Sequence, residues 1–466
     1  MAQGHRFHPT VLREYDIRGI VGETIGAGDA RAIGRAFATI AGGEGKRRLA
    51  VGRDGRLSSP ELATALIEGV RAGGLDVLDI GPCPTPMLYF AVHHLGTDGG
   101  IQVTGSHNPP DHNGFKMMLG HASFFGARIG ELGRIAADGA WAEPAVRGGL
   151  EEADIFEAYV ARLLRDFRGG RPVDAVWDAG NGAAGPAMQA LAARLPGRHA
   201  CLFAEVDGRF PNHHPDPTEP HNLVDLIAAV KEGGYEIGIG FDGDGDRIGV
   251  VDAEGRIIWG DQILQILAED VLDRHPGATI IADVKASKAL FDEIARMGGR
   301  PLMYKTGHSL IKAKMIEENA PLSGEMSGHI FYADRFYGHD DALYVAVRLL
   351  DILGRDERTL AERREAMPKT VATPEIRFAC PDERKFEAIE SVKAHLRDLE
   401  AEVDETDGVR VTNRWGWWLL RASNTQAVLV ARAEAADAEG LAACKKEIEQ
   451  ALAAAGLSAP ADFHAA

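Results

Sequence analysis

The sequence predicts an α/β protein of several domains, followed by a smaller domain of the α+β type. Apolar strand-like runs alternate with amphipathic helical stretches through about residue 355, which is typical of largely parallel sheets covered by helices. Beyond that point the pattern changes to a helix, several strands and a final helix. The length of 466 residues corresponds to roughly three or four domains of about 100–200 residues each.

The first βαβ unit lies near the N-terminus. Residues 50–52 predict a strand, and Ser59 predicts the N-cap of a helix that has Pro60 in its first position. Apolar residues spaced four apart between 62 and 70 give that helix an apolar stripe. Residues 76–80 then predict the next strand of the same sheet.

The same strand–loop–helix pattern begins again at residues 173–177 and at residues 279–282. The charged stretch from 356 to 370 predicts a solvated helix face, with a hinge after it near Pro368. In the tail we expect a helix near 383–399, strands at 410–411 and 417–420, and a helix near 436–454.

A loop with the sequence Thr-Gly-Ser-His-Asn-Pro-Pro, residues 104–110, follows the apolar run 100–103. The turn holds Ser106 beyond a strand end, where a nucleophile can face a cleft. A serine needs a base, a metal or positive charge to become a useful nucleophile. Taken alone, the segment is equally compatible with an ordinary loop.

A second segment makes the serine loop informative. Asp242, Asp244 and Asp246 stand at alternate positions with glycines between them, and Arg247 follows. Carboxylate oxygens suit a hard cation such as Mg²⁺, and the glycines allow a turn tight enough for the three to converge. An arginine directly after them suits a phosphoryl group beside the metal.

Two other structures could contain aspartates at this spacing. An EF-hand calcium loop also begins D-x-D-x-D, but it needs Gly at its sixth position and Glu at its twelfth. Those positions hold Arg247 and Ala253 here, which excludes it. A solvated acidic turn is disfavoured because three neighbouring aspartates repel one another without a cation.

Together these segments resemble the α-D-phosphohexomutase family, in its phosphomannomutase/phosphoglucomutase branch. Residues 15–19, Tyr-Asp-Ile-Arg-Gly, also match. Residues 324–329, Gly-Glu-Met-Ser-Gly-His, resemble the family's sugar-recognition loop, and residues 421–426, Arg-Ala-Ser-Asn-Thr-Gln, resemble its phosphate-binding loop. The four main motifs occur in the family's order and span nearly the whole chain.

The resemblance implies three related α/β domains with mixed, mainly parallel sheets and a C-terminal α+β domain, arranged around a central cleft. We expect the tail to be mobile and to close over the substrate. The expected domains are 1–151 with the phosphoserine loop, 152–254 with the metal-binding loop, 255–367 with the sugar-recognition loop and 368–466 with the phosphate-binding loop.

The resemblance also implies a reaction. Phosphate would move reversibly between C1 and C6 of mannose or glucose phosphates, through a phosphoserine at Ser106 and a 1,6-bisphosphate intermediate. The expected partners are hexose 1- and 6-phosphates, with glucose 1,6-bisphosphate as activator. The expected cofactor is Mg²⁺, held by Ser106, Asp242, Asp244 and Asp246.

Four residues besides Ser106 are expected to take part in catalysis. Arg18 and Lys116 are the family-like candidates for assisting deprotonation of the attacking hydroxyl. A guanidinium is too basic to act as a base, so Arg18 should stabilise charge, whereas Lys116 would need a depressed pKa. His107 should orient or contact the phosphate, and Arg247 should neutralise it.

The substrate-binding residues implied by the resemblance offer a guanidinium fork for phosphate and polar groups for sugar hydroxyls. Alternatives remain: a helix N-cap at 325–327, an ordinary turn at 421–425, and structural roles for the histidines. The set is Tyr15, Lys285, His308, Glu325, Ser327, His329, Arg421, Ser423, Asn424 and Thr425.

Three other functions remain open at this point. Thr104 and Met326 favour mannose and glucose phosphates over the amino sugar of a phosphoglucosamine mutase. Residues 180–185 fit G-x-G-x-x-G and Glu205 follows about twenty residues later, as in NAD-dependent oxidoreductases. That reading leaves Ser106 and the aspartates unexplained. A non-enzymatic sugar-phosphate sensor would need no reactive serine.

The composition limits partners and location. A net charge of −18 argues against nucleic acid, whose phosphates need a basic surface. The first twenty residues are too polar for a signal peptide, and no apolar run approaches the roughly 20 residues of a membrane span. We therefore expect a cytoplasmic protein with no membrane partner, as a monomer or weak homodimer. Scattered cysteines predict reduced thiols: Cys83, Cys201, Cys380 and Cys444.

Overall fold

The computed structural model describes residues 4–398, 402–424, 426–459 and 463. These residues form four sheets that follow one another along the chain. The first three sheets are flanked by helices and contain parallel strands, whereas the strand pairs of the fourth are antiparallel. The predicted α/β class with an α+β tail is thereby confirmed.

The first sheet has the order β1-β5-β4-β2-β3-β7, with β6 paired to β5. Its strands are β1 Ile17–Ile20, β2 Arg48–Arg53, β3 Asp76–Pro82, β4 Gly99–Val103, β5 His112–Leu119, β6 Ala122–Ser123 and β7 Leu150–Glu152. Its helices are α1 Ala27–Gly43, α2 Ser59–Ala72, α3 Thr85–His94 and α4 Ala127–Asp138. Helix α2 begins one residue earlier than predicted, with Ser58 as its N-cap. The Ser59 hydroxyl instead donates to Asp54 Oδ1 at 2.5 Å.

The second sheet has the order β12-β11-β10-β8-β9. Its helices are α5 Phe156–Leu164, α6 Gly185–Ala192 and α7 Val224–Gly233, with a 3-10 turn at Pro220–Leu223 before α7. Its strands are β8 Ala175–Asp178, β9 His199–Leu202, β10 Ile237–Phe241, β11 Ile248–Asp252 and β12 Ile257–Ile258.

The third sheet has the order β14-β13-β15-β16-β17. Its strands are β13 Thr279–Asp283, β14 Arg300–Tyr304, β15 Leu322–Gly324, β16 Ile330–Tyr332 and β17 His339–Asp340. Its helices are α8 Gly260–Arg274, α9 Lys288–Arg296, α10 His308–Glu318, α11 Ala342–Arg355 and α12 Leu360–Glu365. Helix α12 lies in the charged stretch, but its Arg363 is buried and donates to Glu269 Oε2 at 2.7 Å. Glu362 and Glu365 are exposed, so the helix has the expected solvated face, with Arg363 as the exception.

The fourth sheet has the order β18-β23-β22-β21-β20, with β19 also paired to β23. Its strands are β18 Val371–Ala372, β19 Ile376–Ala379, β20 Val403–Asp404, β21 Val409–Thr412, β22 Gly416–Ala422 and β23 Val428–Ala435. Two helices, α13 Asp382–Asp398 and α14 Ala438–Ala454, pack on one of its faces.

Each of the four motif loops connects two antiparallel neighbours. The serine loop joins β4 to β5, the aspartate loop joins β10 to β11, the sugar loop joins β15 to β16, and the tail loop joins β22 to β23. In the first three sheets the strand before the loop also pairs with a parallel strand on its other side. Equivalent positions in the sheets thus bring the loops to one cleft.

This arrangement also explains a difference from the expected mainly parallel sheets. Antiparallel pairs occur beside parallel ones in each of the three sheets. A short loop can return the chain only antiparallel, since a parallel return needs a long crossover. The sheets are mixed, as expected, but the parallel pairs do not dominate.

The apolar cores show which parts belong together. One core spans the second and third sheets, where Trp177 and Tyr332 are fully buried, and it also takes in helix α3 and one face of the first sheet. The first sheet has its own core around Phe37, and the tail has its own around Trp418. The tail joins the third sheet through a small contact of Val284 with Trp417 and Leu419.

The four cysteines are free, and three of them are buried. Burial raises the pKa of the Cys83 thiol to about 12, so this thiol stays protonated at neutral pH. Across the residues that the structure describes, every helix is too short or too polar to cross a bilayer.

Candidate active site

Ser106 lies at the contact between the serine loop and the aspartate loop. Its φ of 50° is in the left-handed region, which a residue other than glycine seldom adopts. The side chain is buried, and its Oγ donates to Asp242 Oδ2 at 2.9 Å and lies 3.2 Å from His107 Nδ1. The predicted nucleophile and the first predicted metal ligand are therefore in direct contact.

The strained serine loop is held by Arg56, whose guanidinium is fully buried. It donates to four loop carbonyl oxygens, those of Ser106 at 2.7 Å, Asn108 at 2.6 Å, Pro109 at 2.5 Å and His112 at 3.0 Å. The sequence analysis missed Arg56. Its position just beyond β2 was a usable signal, because β2 and β4 are parallel and end at the same edge of the sheet.

Asp54 completes this support. Its Oδ2 lies 3.2 Å from Arg56 Nε and accepts from Thr104 Oγ1 at 2.8 Å and from the Gly105 amide at 3.0 Å. A Cβ added to Gly105 would lie 2.4 Å from Arg56 Nε. Glycine before the serine is thus required by the close approach of the guanidinium.

The three aspartates form a buried cluster whose ligand oxygens all lie within 4.8 Å of one another. Asp244 Oδ1 and Asp246 Oδ1 are buried and have no hydrogen-bond partner. Burial and the neighbouring carboxylates raise the pKa of Asp242 well above its usual range. A site of converging carboxylates with unpaired oxygens fits a hard divalent cation.

A glycine of the same loop permits the contact with the serine. A Cβ added to Gly243 would lie 2.3 Å from the Ser106 carbonyl oxygen. The loops can therefore approach only because this position has no side chain.

Lys116, on β5, reaches the same cluster. Its Nζ donates to Asp244 Oδ2 at 2.7 Å and also to Asp246 Oδ2. Burial lowers the pKa of Lys116, but the two carboxylates more than offset this and hold it above its ordinary value. A base would need the opposite shift, so this arrangement favours a charge-neutralising role.

A cleft of about 1250 Å³ opens above these loops. Ser106, Lys116 and the aspartates are buried beside it. Thr425 lies outside the described residues. The predicted residues that line the cleft are Tyr15, Arg18, His107, Arg247, Lys285, His308, Glu325, Ser327, His329, Arg421 and Ser423.

His329 has the setting of an acid–base group. Its Nε2 accepts from Arg247 Nε at 3.0 Å, so the lone pair is on Nε2, because a guanidinium only donates. Its Nδ1 lies 2.9 Å from Asp340 Oδ2 and 3.6 Å from Asp246 Oδ1. Neither Nδ1 nor Asp340 Oδ2 makes a hydrogen bond, so Asp340 acts on the imidazole as a nearby negative charge, which would stabilise a proton gained by the ring. Asp340, which also pairs with Lys312 at 3.1 Å, belongs to no motif and was missed.

Arg18 supports the serine loop from the cleft side. Its Nε donates to Asp16 Oδ2 at 2.7 Å, and its Nη1 donates to Asn108 Oδ1 at 3.3 Å. The guanidinium therefore contacts the loop that carries Ser106.

The sugar loop is fixed by the third sheet. Glu325 Oε1 accepts from the Gly307 amide at 2.7 Å, next to His308, whose ring stacks on His329 at 5.5 Å. Lys285 Nζ donates to Glu375 Oε2 at 3.0 Å, which links the third sheet to the tail.

The tail loop reaches the other regions across the cleft. Asn424 Nδ2 donates to Tyr15 Oη at 2.5 Å, and Tyr15 Oη donates to the Thr306 carbonyl at 2.9 Å. Arg421 Nε donates at 2.9 Å to Asp407 Oδ2, which also accepts from the Thr306 amide at 3.0 Å. The predicted phosphate loop thus faces the serine loop from the opposite side.

The glycine-rich segment 180–185 has a structural position. The Ala183 amide donates to the Gly243 carbonyl at 2.9 Å, and a Cβ at Gly185 would lie 2.0 Å from the Ala204 carbonyl oxygen. Gly182 lets this turn pack against the aspartate loop, and Gly185 lets it pack against the segment that follows β9.

Family models match the chain in four consecutive parts, all described as domains of phosphoglucomutase/phosphomannomutase. Domain I matches residues 9–131, domain II matches 157–255, domain III matches 259–371 and the C-terminal domain matches 375–451.

Relatives agree with these matches. The phosphomannomutase/phosphoglucomutase of Pseudomonas aeruginosa is 44% identical over 97% of this chain and 98% of its own length. The phosphoglucomutase of Neisseria gonorrhoeae is 44% identical over 91% of this chain and 93% of its own length. A crystal structure of a phosphoglucomutase/phosphomannomutase family protein from Burkholderia thailandensis has a TM-score of 0.92. It is 45% identical and covers 97% of this chain and 99% of that one.

Proposed function

The chain belongs to the phosphoglucomutase/phosphomannomutase family, and from this premise we propose that it interconverts the 1- and 6-phosphates of mannose and glucose through a phosphoserine at Ser106. It is a phosphohexomutase, an isomerase of carbohydrate metabolism. The observation that carries the proposal is the 2.9 Å contact of Ser106 Oγ with Asp242, inside a buried cluster with unpaired carboxylate oxygens.

In the resting enzyme, Ser106 Oγ bears the phosphoryl group. Arg18, Lys116 and Arg247 surround it with positive charge, and His107 contacts it from the adjacent position. Asp242, Asp244 and Asp246 would hold Mg²⁺ together with the serine phosphate, and the bound ion would draw charge from the transferring group.

The first transfer is an in-line displacement at phosphorus. A sugar hydroxyl oxygen bonds to phosphorus, and the bond from phosphorus to Ser106 Oγ breaks. His329 Nε2 accepts the hydroxyl proton after Arg247 Nε has turned from this nitrogen toward the transferring phosphoryl group, and the charge of Asp340 lies beside the opposite edge of the ring. The products of this step are a 1,6-bisphosphorylated sugar and a serine alkoxide. The neighbouring cations neutralise the charge of the alkoxide until the second transfer.

The second transfer runs the same step in reverse after the sugar has turned around. The phosphate on the opposite carbon then returns to Ser106 Oγ. Arg421, Ser423, Asn424 and Thr425 hold whichever phosphate is not reacting. Tyr15, Lys285, His308, Glu325 and Ser327 would contact the sugar, and they must accept both of its orientations.

Several finer statements belong to the same proposal. Glucose 1,6-bisphosphate activates the enzyme by restoring the phosphoserine after loss of the intermediate. The domains are 1–151, 152–254, 255–367 and 368–466. The four sheets support their number, whereas β7 extends the first domain to residue 152 and β12 extends the second to residue 258. We further propose a cytoplasmic monomer or weak homodimer that binds neither nucleic acid nor membranes.

A coupled mutase assay tests the function. It compares mannose 1-, glucose 1- and glucosamine 1-phosphate, each with Mg²⁺ and a trace of glucose 1,6-bisphosphate. The proposal expects turnover of mannose and glucose phosphates and at most slow turnover of the amino sugar. A clear preference for glucosamine 1-phosphate would instead identify a phosphoglucosamine mutase, and absence of turnover on all three would overturn the proposal.

A further inference from the structure

The loop that carries Lys285 is held by the tail as well as by its own domain, where the Val284 amide donates to the Tyr304 carbonyl at 2.9 Å and the Ser287 amide donates to Asp261 Oδ2 at 2.9 Å. It runs from Val284 to Ser287, between β13 and α9. Three consecutive carbonyl oxygens of this loop accept from tail arginines. Arg410 Nη1 donates to Val284 O at 2.7 Å and Ala286 O at 2.8 Å, and Arg432 Nη1 donates to Lys285 O.

A carboxylate of the tail holds the end of the same loop. Glu434 Oε1 accepts from Ser287 Oγ at 2.8 Å and from the Lys288 amide at 3.3 Å. It also accepts from Trp417 Nε1 at 2.9 Å. The Arg410 guanidinium carbon lies 3.7 Å from the centre of the Trp417 ring. This cation–π contact with the buried indole keeps the guanidinium in position.

All these tail residues lie on one face of the fourth sheet. Arg410 pairs with Leu419, and Leu419 pairs with Arg432 across the three central strands. Trp417 and Arg421 lie two positions to either side of Leu419 on β22, and alternate residues of a strand share a face. The phosphate-binding Arg421 and the residues that hold the Lys285 loop therefore move as one rigid unit.

The Lys285 side chain is also held by the tail. Its Nζ pairs with Glu375 at 3.0 Å, and lies 3.7 Å from Asp283 of its own sheet. Burial raises the pKa of Glu375, but the positive charges of Lys285 and Arg377 more than offset this and lower the pKa to about 2. The pair is therefore charged at neutral pH, and the ammonium is directed by a tail residue.

We infer that Arg410, Arg432, Glu434 and Glu375 are positioning residues that place Lys285 for the sugar phosphate and couple it to the position of the tail. If the tail moved away from this loop, three carbonyl oxygens would lose their donors, which is unfavourable in a buried interface. The loop therefore follows the tail when the tail pivots. Lys285 and Arg421 then reach the substrate together and leave it together. This inference rests on the proposed function.

A double-mutant cycle tests the inference in the mutase assay. Arg410→Met should raise the KM for glucose 1-phosphate about tenfold and change kcat less than about threefold, since binding and not transfer is affected. In a Lys285→Met background, Arg410→Met should raise KM less than about twofold, because the residue through which it acts is already gone. Arg432→Met removes a single carbonyl contact, and its KM is measured with and without Lys285→Met in the same way. This second cycle tests the inference if Arg410→Met does not fold.

Arg384→Met is the matched control. Arg384 is an exposed arginine that caps the carbonyls of Ala455 and Gly456 within the tail, so its loss should leave KM unchanged. Equal rises in KM with and without Lys285, no rise in either background, or a fall in kcat alone would overturn the inference while wild-type activity persists. Absence of mutase activity in the wild type would instead contradict the proposed function.

Discussion

The two sides of the cleft are built differently. On one side, Ser106 and the three aspartates are buried, and a single guanidinium, that of Arg56, fixes the serine loop through four carbonyls. On the other side, the tail has a core of its own and reaches across the cleft through Asn424 and Asp407. The catalytic serine is thus fixed within its own domain, whereas the tail is a separate unit joined to the third sheet mainly at the Lys285 loop.

The difference matches the demands of the two tasks. Phosphoryl transfer depends on charges placed in advance, and such a site gains from rigidity. A bisphosphate that must turn around needs a clamp that loosens without releasing it. We expect small backbone changes near Pro368 to provide that motion. Variants on the two sides should therefore fail in different ways.

The largest effect is expected from the fixed side. Ser106→Ala should lower kcat by about 10³-fold or more, because no other group carries the phosphoryl group. Binding of sugar phosphate, measured by calorimetry, should remain close to that of the wild type. Ser458→Ala, an exposed serine far along the chain, serves as control. Near-normal turnover of a Ser106→Ala preparation free of wild-type enzyme would contradict its role.

The second-largest effect is expected from removal of the metal ion. EDTA should abolish turnover and Mg²⁺ should restore it, and Asp244→Asn should lower kcat by about 10²-fold or more because one ligand charge is lost. Asp292→Asn changes an exposed aspartate and should leave the metal dependence unaltered. Full activity in excess EDTA would show that residues 242–246 are not a catalytic cation site.

Arg56→Met tests what keeps the fixed side rigid. It leaves Asp54 buried without its partner, so the free energy of unfolding should fall by about 3–5 kcal/mol. The double variant Arg56→Met/Asp54→Asn should recover part of that loss, and chemical denaturation measures both. In either variant the serine loop loses its four hydrogen bonds from the Arg56 guanidinium, so kcat should stay low in the double variant. Recovery of both stability and kcat would mean that Arg56 does not position Ser106.

The smallest effect on phosphoryl transfer is expected from variants on the tail side of the cleft. Arg421→Ala should raise KM about tenfold or more, since hydrogen bonds to charged groups contribute about 1.5–3 kcal/mol. It should also increase escape of the bisphosphate during turnover. Arg414→Ala, an exposed arginine of the same domain, is the control. Unchanged KM and unchanged bisphosphate release would remove the tail loop from phosphate binding.

Small-angle scattering adds a structural readout of the same comparison. The wild-type protein should become more compact when a non-reacting substrate analogue is added, because the tail closes on the phosphate. A scattering curve that does not change at saturating analogue would show that the tail is as fixed as the serine side.

The sequence revealed those parts of the site that are contiguous in the chain. Asp242, Asp244 and Asp246 lie within five residues, so their convergence is visible from spacing alone. The α/β pattern and the separate tail were predictable for the same reason, since strand and helix periodicity are local. The turn of the serine loop was also predictable from its glycine and prolines.

What the sequence could not reveal depends on contacts between distant segments. Arg56 supports Ser106 from 50 positions away, and Asp340 places its charge 2.9 Å from His329 Nδ1 from another strand. Neither belongs to a motif. The raised pKa of Lys116 likewise depends on carboxylates more than 120 residues further along the chain. Such effects become visible only when the sheets are placed side by side.

The most direct test of the central claim is to follow one phosphoryl group. The protein is incubated with glucose 1,6-bisphosphate and Mg²⁺, and intact-mass and peptide mass spectrometry are recorded before and after addition of excess glucose 1-phosphate. The account predicts one added phosphoryl group, located on Ser106, absent from Ser106→Ala and transferable to the sugar. An unmodified Ser106 in an active enzyme, or a phosphoryl group on another residue, would contradict it.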